Sequence, residues 1–181
     1  MSEENSKPAE DQATAGQGSE AQKPSDKPQP HFGLQRLYLK DVSFEAPQGV
    51  KAFAQDWKPE VNQEMTTAVN KLDEKNFECE LTLTVTVKLA DKVAFLVEVK
   101  QAGLFGVSGM GEQQTAHAMS TAAPEMLFPY AREVIDSVVT KGSFPALMLP
   151  PVNFNAMFAQ AMQQQQQQKA AAAQEAPESV Q

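Results

Sequence analysis

Residues 78–89 read ECELTLTVTVKL. Cys79, Leu81, Leu83, Val85, Val87 and Leu89 fall on one face of an extended chain, and Glu80, Thr82, Thr84, Thr86 and Lys88 on the other. Successive side chains of a strand point to opposite sides of the sheet, so strict alternation over this length predicts a half-buried strand. The tetrapeptide LADK, 89–92, then turns the chain into VAFLVEVKQ, 93–101. There Val93, Phe95, Val97 and Val99 oppose Ala94, Leu96, Glu98 and Lys100, and the short connection predicts an antiparallel hairpin.

Upstream, LQRLYLKDVSFE, 34–45, reads as a first strand although both faces are mixed. One face holds Leu34, Arg36, Tyr38, Lys40, Val42 and Phe44, the other Leu37, Leu39, Asp41, Ser43 and Glu45. Pro47 and Gly49 break it, and 46–60 form a long connection that carries Phe53 and Trp57 and is closed by Pro59. EVNQEMT, 60–66, alternates again, with Val61 and Met65 opposite Asn62 and Glu64, and predicts a short second strand. Downstream of the hairpin, GLFGVSGMG, 103–111, predicts an irregular strand-to-helix connection. Helical pattern follows from Glu112 to about Ala123 and from Pro124 to Lys141. In the second segment Leu127, Ala131, Val134, Ile135 and Val138 form a stripe, Pro129 marks a kink or restart, and Gly142 a stop. An irregular link with three prolines, 143–152, leads to Asn153, which can cap a last helix with the stripe Phe154, Met157, Phe158, Ala161 and Met162. Strands first and helices last imply an α+β fold: a four-stranded antiparallel sheet with helices packed on one face and the other face wet.

The chain has 181 residues, 41% of them hydrophobic, and a net charge of −8. Residues 1–30 carry six acids against three lysines and almost no large apolar side chains, which predicts a disordered polar extension. Residues 163–181, six glutamines and then KAAAAQEAPESVQ, predict a low-complexity, disordered tail whose glutamines can first extend the preceding helix before it frays. A domain spanning 31–162 remains. It is itself acidic, so it repels a phosphate backbone, and nucleic acid is excluded as a partner. No apolar run reaches the roughly 18–20 residues of a bilayer span, so no membrane insertion is expected. MSEENSKPAEDQ has neither the basic nor the apolar region of a secretory signal, and the single cysteine fits a reducing compartment. The expected address is cytoplasmic.

Catalytic and metal chemistry find little to work with. Two histidines, His31 and His117, and one cysteine give no metal-ligand spacing. Cys79 sits on the apolar face of a strand, where a thiol is inert packing. Gly103, Gly106, Gly109 and Gly111 match neither G-x-G-x-x-G nor a G-K-[ST] loop. The expectation is a protein that is not an enzyme and needs no cofactor. Two features suit polypeptide instead. Phe53 and Trp57 in a proline-bounded connection, with Phe128 and Tyr130 on a helix, can make an apolar groove for an extended chain. Asp41 and Glu45 on one face of strand one, and Glu98 beside Leu96, form either a solvated surface or a protein contact.

The runs LYLKDVSFEAP (37–47), DWKPEV (56–61), AFLVEV (94–99), LFPYARE (127–133) and PPVNF (150–154) together resemble the SecB family of protein-export chaperones, in order and over roughly residues 32–162. The resemblance implies a homotetramer, a dimer of dimers, with helices between two composite sheets. It implies an ATP-independent holdase that binds unfolded precursor proteins in the cytoplasm and delivers them to the SecA motor. By motif, Asp41, Glu45, Leu96 and Glu98 would dock the zinc-binding C-terminal tail of SecA, the zinc belonging to that partner. The row Phe95, Val97, Val99 and Gln101 would serve assembly and client binding. The client groove would involve Phe53, Trp57, Val61, Met65, Phe128, Tyr130 and Phe158. The alternative is a chaperone on the same fold dedicated to a single stress or antitoxin partner.

Overall fold

The computed structural model describes residues 29–174. Nearly all of the N-terminal extension and residues 175–181 lie outside the described residues, and so does the disorder expected there. The elements are β1 (His31–Glu45), α1 (Val50–Phe53), β2 (Glu60–Lys71), β3 (Asn76–Leu89), β4 (Lys92–Ser108), α2 (Glu112–Ser120), α3 (Ala122–Lys141) and α4 (Phe154–Gln174). The strands form one antiparallel sheet ordered β1-β4-β3-β2.

The alternating stretch at 78–89 is the inner strand β3, and its apolar face is buried completely from Cys79 through Val87. Each such aliphatic side chain contributes about 1.5–3 kcal/mol on leaving water. Ala90 and Asp91 link β3 to β4 with φ of 46° and 64°. Two positive φ values are what a two-residue turn needs to match the twist of the flanking strands. Past the turn, Val87 pairs with Phe95 but Lys88 with Val93, so Ala94 is an extra residue. This bulge moves Val93 off the apolar face, where simple alternation had put it, and buries Ala94.

Three elements are longer than the sequence pattern predicts. β2 continues to Lys71. β4 runs through the glycine-rich stretch to Ser108, which corrects the irregular connection expected at 103–111. Gly103 faces α3: a Cβ there would stand 2.9 Å from Leu127 and 3.0 Å from Leu34, so the glycine permits the helix to close on the sheet. Finally, α4 runs on through the six glutamines, the extension open to them in the sequence, and continues to Gln174 within the stretch expected as a disordered tail.

α3 lies across the two inner strands with Ala123, Leu127, Phe128, Ala131, Ile135 and Val139 buried. It continues through Pro129 without a break. Asn153 caps α4 as expected, its Oδ1 accepting from Ala156 N at 2.9 Å. The link between α3 and α4 is fastened to α3. Asp136 Oδ1 accepts from the backbone N–H groups of Leu147 and Met148 at 3.1 and 3.2 Å, and Arg132 Nη1 donates to Leu149 O at 3.2 Å.

The mixed faces of β1 resolve into clean ones. Its register with β4 shifts twice, leaving Gln35 and Lys40 as unpaired extra residues. With those two removed from the count, Phe32, Leu34, Leu37, Leu39, Val42 and Phe44 share the face of Phe105, Val99 and Val97, and Arg36, Tyr38, Asp41, Ser43 and Glu45 share the opposite one. Helices cover mainly the inner strands, so several apolar residues of the edge strands stay open on the helix side: Leu39 and Val42 on β1, Val61 and Val69 on β2.

Candidate functional site

The outer face of the sheet gathers the four residues singled out as a docking surface. Glu45 pairs with Leu96 and Ser43 with Glu98 across the β1–β4 ladder, and Asp41 pairs with Lys100. All therefore lie on two neighbouring strands and one side. Thr84 Oγ1 on β3 donates to Glu98 Oε2 at 3.2 Å. Lys100 Nζ stands 3.6 Å from Glu98 Oε1 and 3.8 Å from Asp41 Oδ2. Two carboxylates thus flank one ammonium, and with Glu45 on the same face the patch is net negative, with Leu96 as its apolar element.

Further along the same face is a denser network. Tyr38 OH donates to Glu78, reaching across β4 above Ala102, its small register partner. Asn70 Nδ2 donates to the same carboxylate at 3.0 Å, and Lys40 Nζ lies 2.8 Å from Glu80 and 3.3 Å from Glu78. The Tyr38 hydroxyl, followed by Asn70, holds the Glu78 carboxyl below its ordinary range, and the same bond raises Tyr38. The bond to Glu80 raises Lys40.

On the helix side, five rings meet. Phe144 is 4% exposed and is the neighbour the others share, with centroids 4.7 Å from Phe95, 5.0 Å from Phe53, 6.1 Å from Trp57 and 6.3 Å from Phe44. Phe53 and Trp57 remain open above it, 53% and 39% exposed. They make an apolar platform at the end of the sheet. Sequence reasoning found Phe53 and Trp57 but missed Phe144. Its one signal is an aromatic residue set between the helix stop Gly142 and Pro145.

Two clefts flank α2. One, of about 580 Å³, lies between the β2–β3 end of the sheet and α2, with Val69, Phe77, Met110 and Met119 among its lining. The other, of about 230 Å³, lies between β2 and α4, lined by Met65, Phe154, Met157 and Phe158. Phe158 meets the His117 ring edge-on at 5.1 Å. Val61 and Tyr130 are exposed at separate places, on β2 and α3.

Other expected site residues are core in the protomer. Phe95, Val97 and Val99 are completely buried and Gln101 nearly so, because alternation turns them toward the helices. They build the interior and do not offer a surface. Phe128 likewise is buried against Phe154, with the Arg132 guanidinium 5.9 Å from its ring centroid. Burial pushes the Cys79 thiol up to about 12, so it stays protonated packing. No helix among the described residues is long and apolar enough to cross a membrane.

An open aromatic platform on one side of the sheet and a negative patch on the other suit a protein that binds polypeptide. The comparisons with known proteins agree. A family model described as SecB, preprotein translocase subunit SecB, matches residues 25–165. The protein-export protein SecB of Hahella chejuensis is 53% identical over 135 residues, 75% of this chain and 85% of its own. That of Cellvibrio japonicus is 46% identical over 162 residues, 90% and 89% of the two chains. The chain belongs to the SecB family of protein-export chaperones. A solved SecB-like chaperone of Mycobacterium tuberculosis, bound to a peptide from the HigA1 antitoxin, shares the fold with a TM-score of 0.55 at 18% identity, covering 67% of this chain and 91% of its own.

Proposed function

We propose that this chaperone holds unfolded precursor proteins in the cytoplasm, without ATP, on its aromatic platform and the clefts beside α2, and delivers them to SecA through the outer face of its sheet. The observation that carries the reading is the separation of the two surfaces. Residues of alternate parity on β1 and β4 face opposite ways, so Phe44 and Phe95 support the platform while Glu45, Leu96 and Glu98 are presented on the other side. A client and the SecA tail can then be bound together. Binding through burial of apolar area carries little sequence preference, which suits many clients.

Assembly as a dimer of dimers is part of the proposal. The apolar residues left open on both edge strands, with Met126 and Tyr130 on α3, are what further burial would use. The identities near half to export proteins favour general export over service to one antitoxin.

The test is Glu98→Lys. Titrated with a peptide of the SecA tail carrying its zinc, the variant should lose binding, and a urea-unfolded precursor should still be retained. Wild-type affinity for the peptide should fall as salt rises, since an exposed charge pairing is screened. Unchanged peptide affinity in Glu98→Lys would remove the docking assignment.

A further inference from the structure

Gln101 is a polar side chain in an apolar place. Its neighbours on that face of β4 are Val99, Gly103 and Phe105, and it is 3% exposed. Burying an amide there costs free energy unless it is hydrogen-bonded. Its Nε2 donates to the backbone carbonyl of Tyr38 at 2.7 Å. That carbonyl lies immediately before the second register shift of β1, where Leu39 pairs with Gln101, Lys40 is extra and Asp41 pairs with Lys100. An extra residue interrupts the ladder locally and leaves main-chain groups in need of other partners.

The shift decides where the carboxylates point. If β1 ran on from Leu39 without it, Lys40 would stand opposite Lys100, Asp41 opposite Val99 and Glu45 opposite Phe95, so both acids would enter the core. The bulge is what returns Asp41, Ser43 and Glu45 to the side of Glu98. It is fastened from both sides of the sheet: by Gln101 from the core, and by the bonds of Lys40 to Glu78 and Glu80 from outside.

We propose that Gln101 is a positioning residue for the docking surface: by satisfying the Tyr38 carbonyl it holds the Lys40 bulge, and the bulge aims Asp41 and Glu45 outward. The role rests on the docking function proposed above for those carboxylates. It gives Gln101 a task distinct from contact with clients or with other copies of the chain.

The experiment is a cycle of Gln101→Met, deletion of Lys40, and both together, in the full chain. Amide hydrogen exchange along 41–45 reads the bulge directly, and titration with the zinc-loaded SecA tail peptide reads its consequence. Gln101→Met keeps size and loses the donor. It should speed exchange at 41–45 and weaken peptide binding, each roughly fivefold, as expected for the loss of one part-buried hydrogen bond worth about 1 kcal/mol. Deleting Lys40 brings Asp41 opposite Lys100 in a regular ladder, so peptide binding should persist. In that background Gln101→Met should change neither readout. If Gln101→Met alone fails to fold but the double variant folds, the rescue supports the proposal. Equal effects in both backgrounds, loss of folding in both, or no effect in either would overturn it. If exchange follows the expected cycle and even the wild-type chain ignores the peptide, the docking assignment falls while the hold of Gln101 on the bulge stands.

Discussion

Replacing Phe144 by leucine tests whether the platform has a floor. Phe144 is nearly fully buried and is the one ring that meets Phe53, Trp57, Phe95 and Phe44. Leucine keeps most of the apolar area, so the loss comes from the ring contacts. Aromatic pairs are worth about 0.5–1.5 kcal/mol each beyond burial, and the two closest contacts at 4.7 and 5.0 Å should dominate. The expected destabilisation is about 1–3 kcal/mol, below the roughly 3–5 kcal/mol of Phe144→Ala, which also opens a cavity. Urea unfolding at fixed chain concentration should show a lower midpoint with an unchanged slope. Trp57 is the only tryptophan, so native emission reports this cluster alone and should shift to the red. Retention of an unfolded precursor should weaken in parallel. A leucine variant with an unmoved midpoint and unmoved Trp57 emission would refute the view that Phe144 organises the platform.

Three further outcomes are expected. Ala90→Asn with Asp91→Gly supplies residues that accept the positive φ values of the hairpin turn and should raise stability by about 1 kcal/mol, read from the urea midpoint; a lower midpoint would mean the present turn carries no strain. Cys79 in the native chain should alkylate slowly at pH 8 and promptly in urea, since burial keeps it protonated; rapid native labelling would contradict its place in the core. Because Tyr38, then Asn70, lowers the folded value of Glu78, its stabilising share is complete above the ordinary carboxylate value of about 4.3 and is lost as pH falls through the lowered value. Glu78→Gln should therefore flatten the fall of the unfolding midpoint on the acid side, and an unchanged slope would show that the Tyr38–Glu78 bond contributes nothing.

The sheet-then-helix architecture was legible because β3 alternates without a fault from Cys79 to Leu89 and because the α3 stripe repeats at helical spacing. β1 was not legible as a two-faced strand. Its apolar residues 32, 34, 37, 39, 42 and 44 step by two and three, and period two alone cannot sort them without knowing that Gln35 and Lys40 bulge. Accommodation of these bulges lies in β4: a Cβ on Gly106 would meet Gln35 Nε2, and Gln101 serves the second bulge. Asp41, Glu45 and Glu98 lie outward as read, since charged residues cannot enter a core cheaply whatever the local register, and Leu96 follows by its alternation with Glu98. The apolar candidates did not separate so well. Phe128 and Phe53 are the same residue type, and only packing shows that one is buried under Phe154 while the other is open. β4 past Gln101 was hidden by glycines that weaken a strand on its own but suit one pressed by a helix.

The strand order also has a temporal side. β3 and β4 are joined by a two-residue turn, whereas β1 meets β4 with His31 opposite Ser108 and Glu45 opposite Leu96, so about fifty residues separate even its nearest partners. Closing so long a loop carries an entropy cost that the hairpin does not meet. Local pairings at the centre should therefore form before β1 joins. Half of the acidic face arrives with that strand. A protomer caught partway through folding owns Leu96 and Glu98 but not Asp41 and Glu45 beside them, so the proposed docking surface is complete only once the sheet itself is finished.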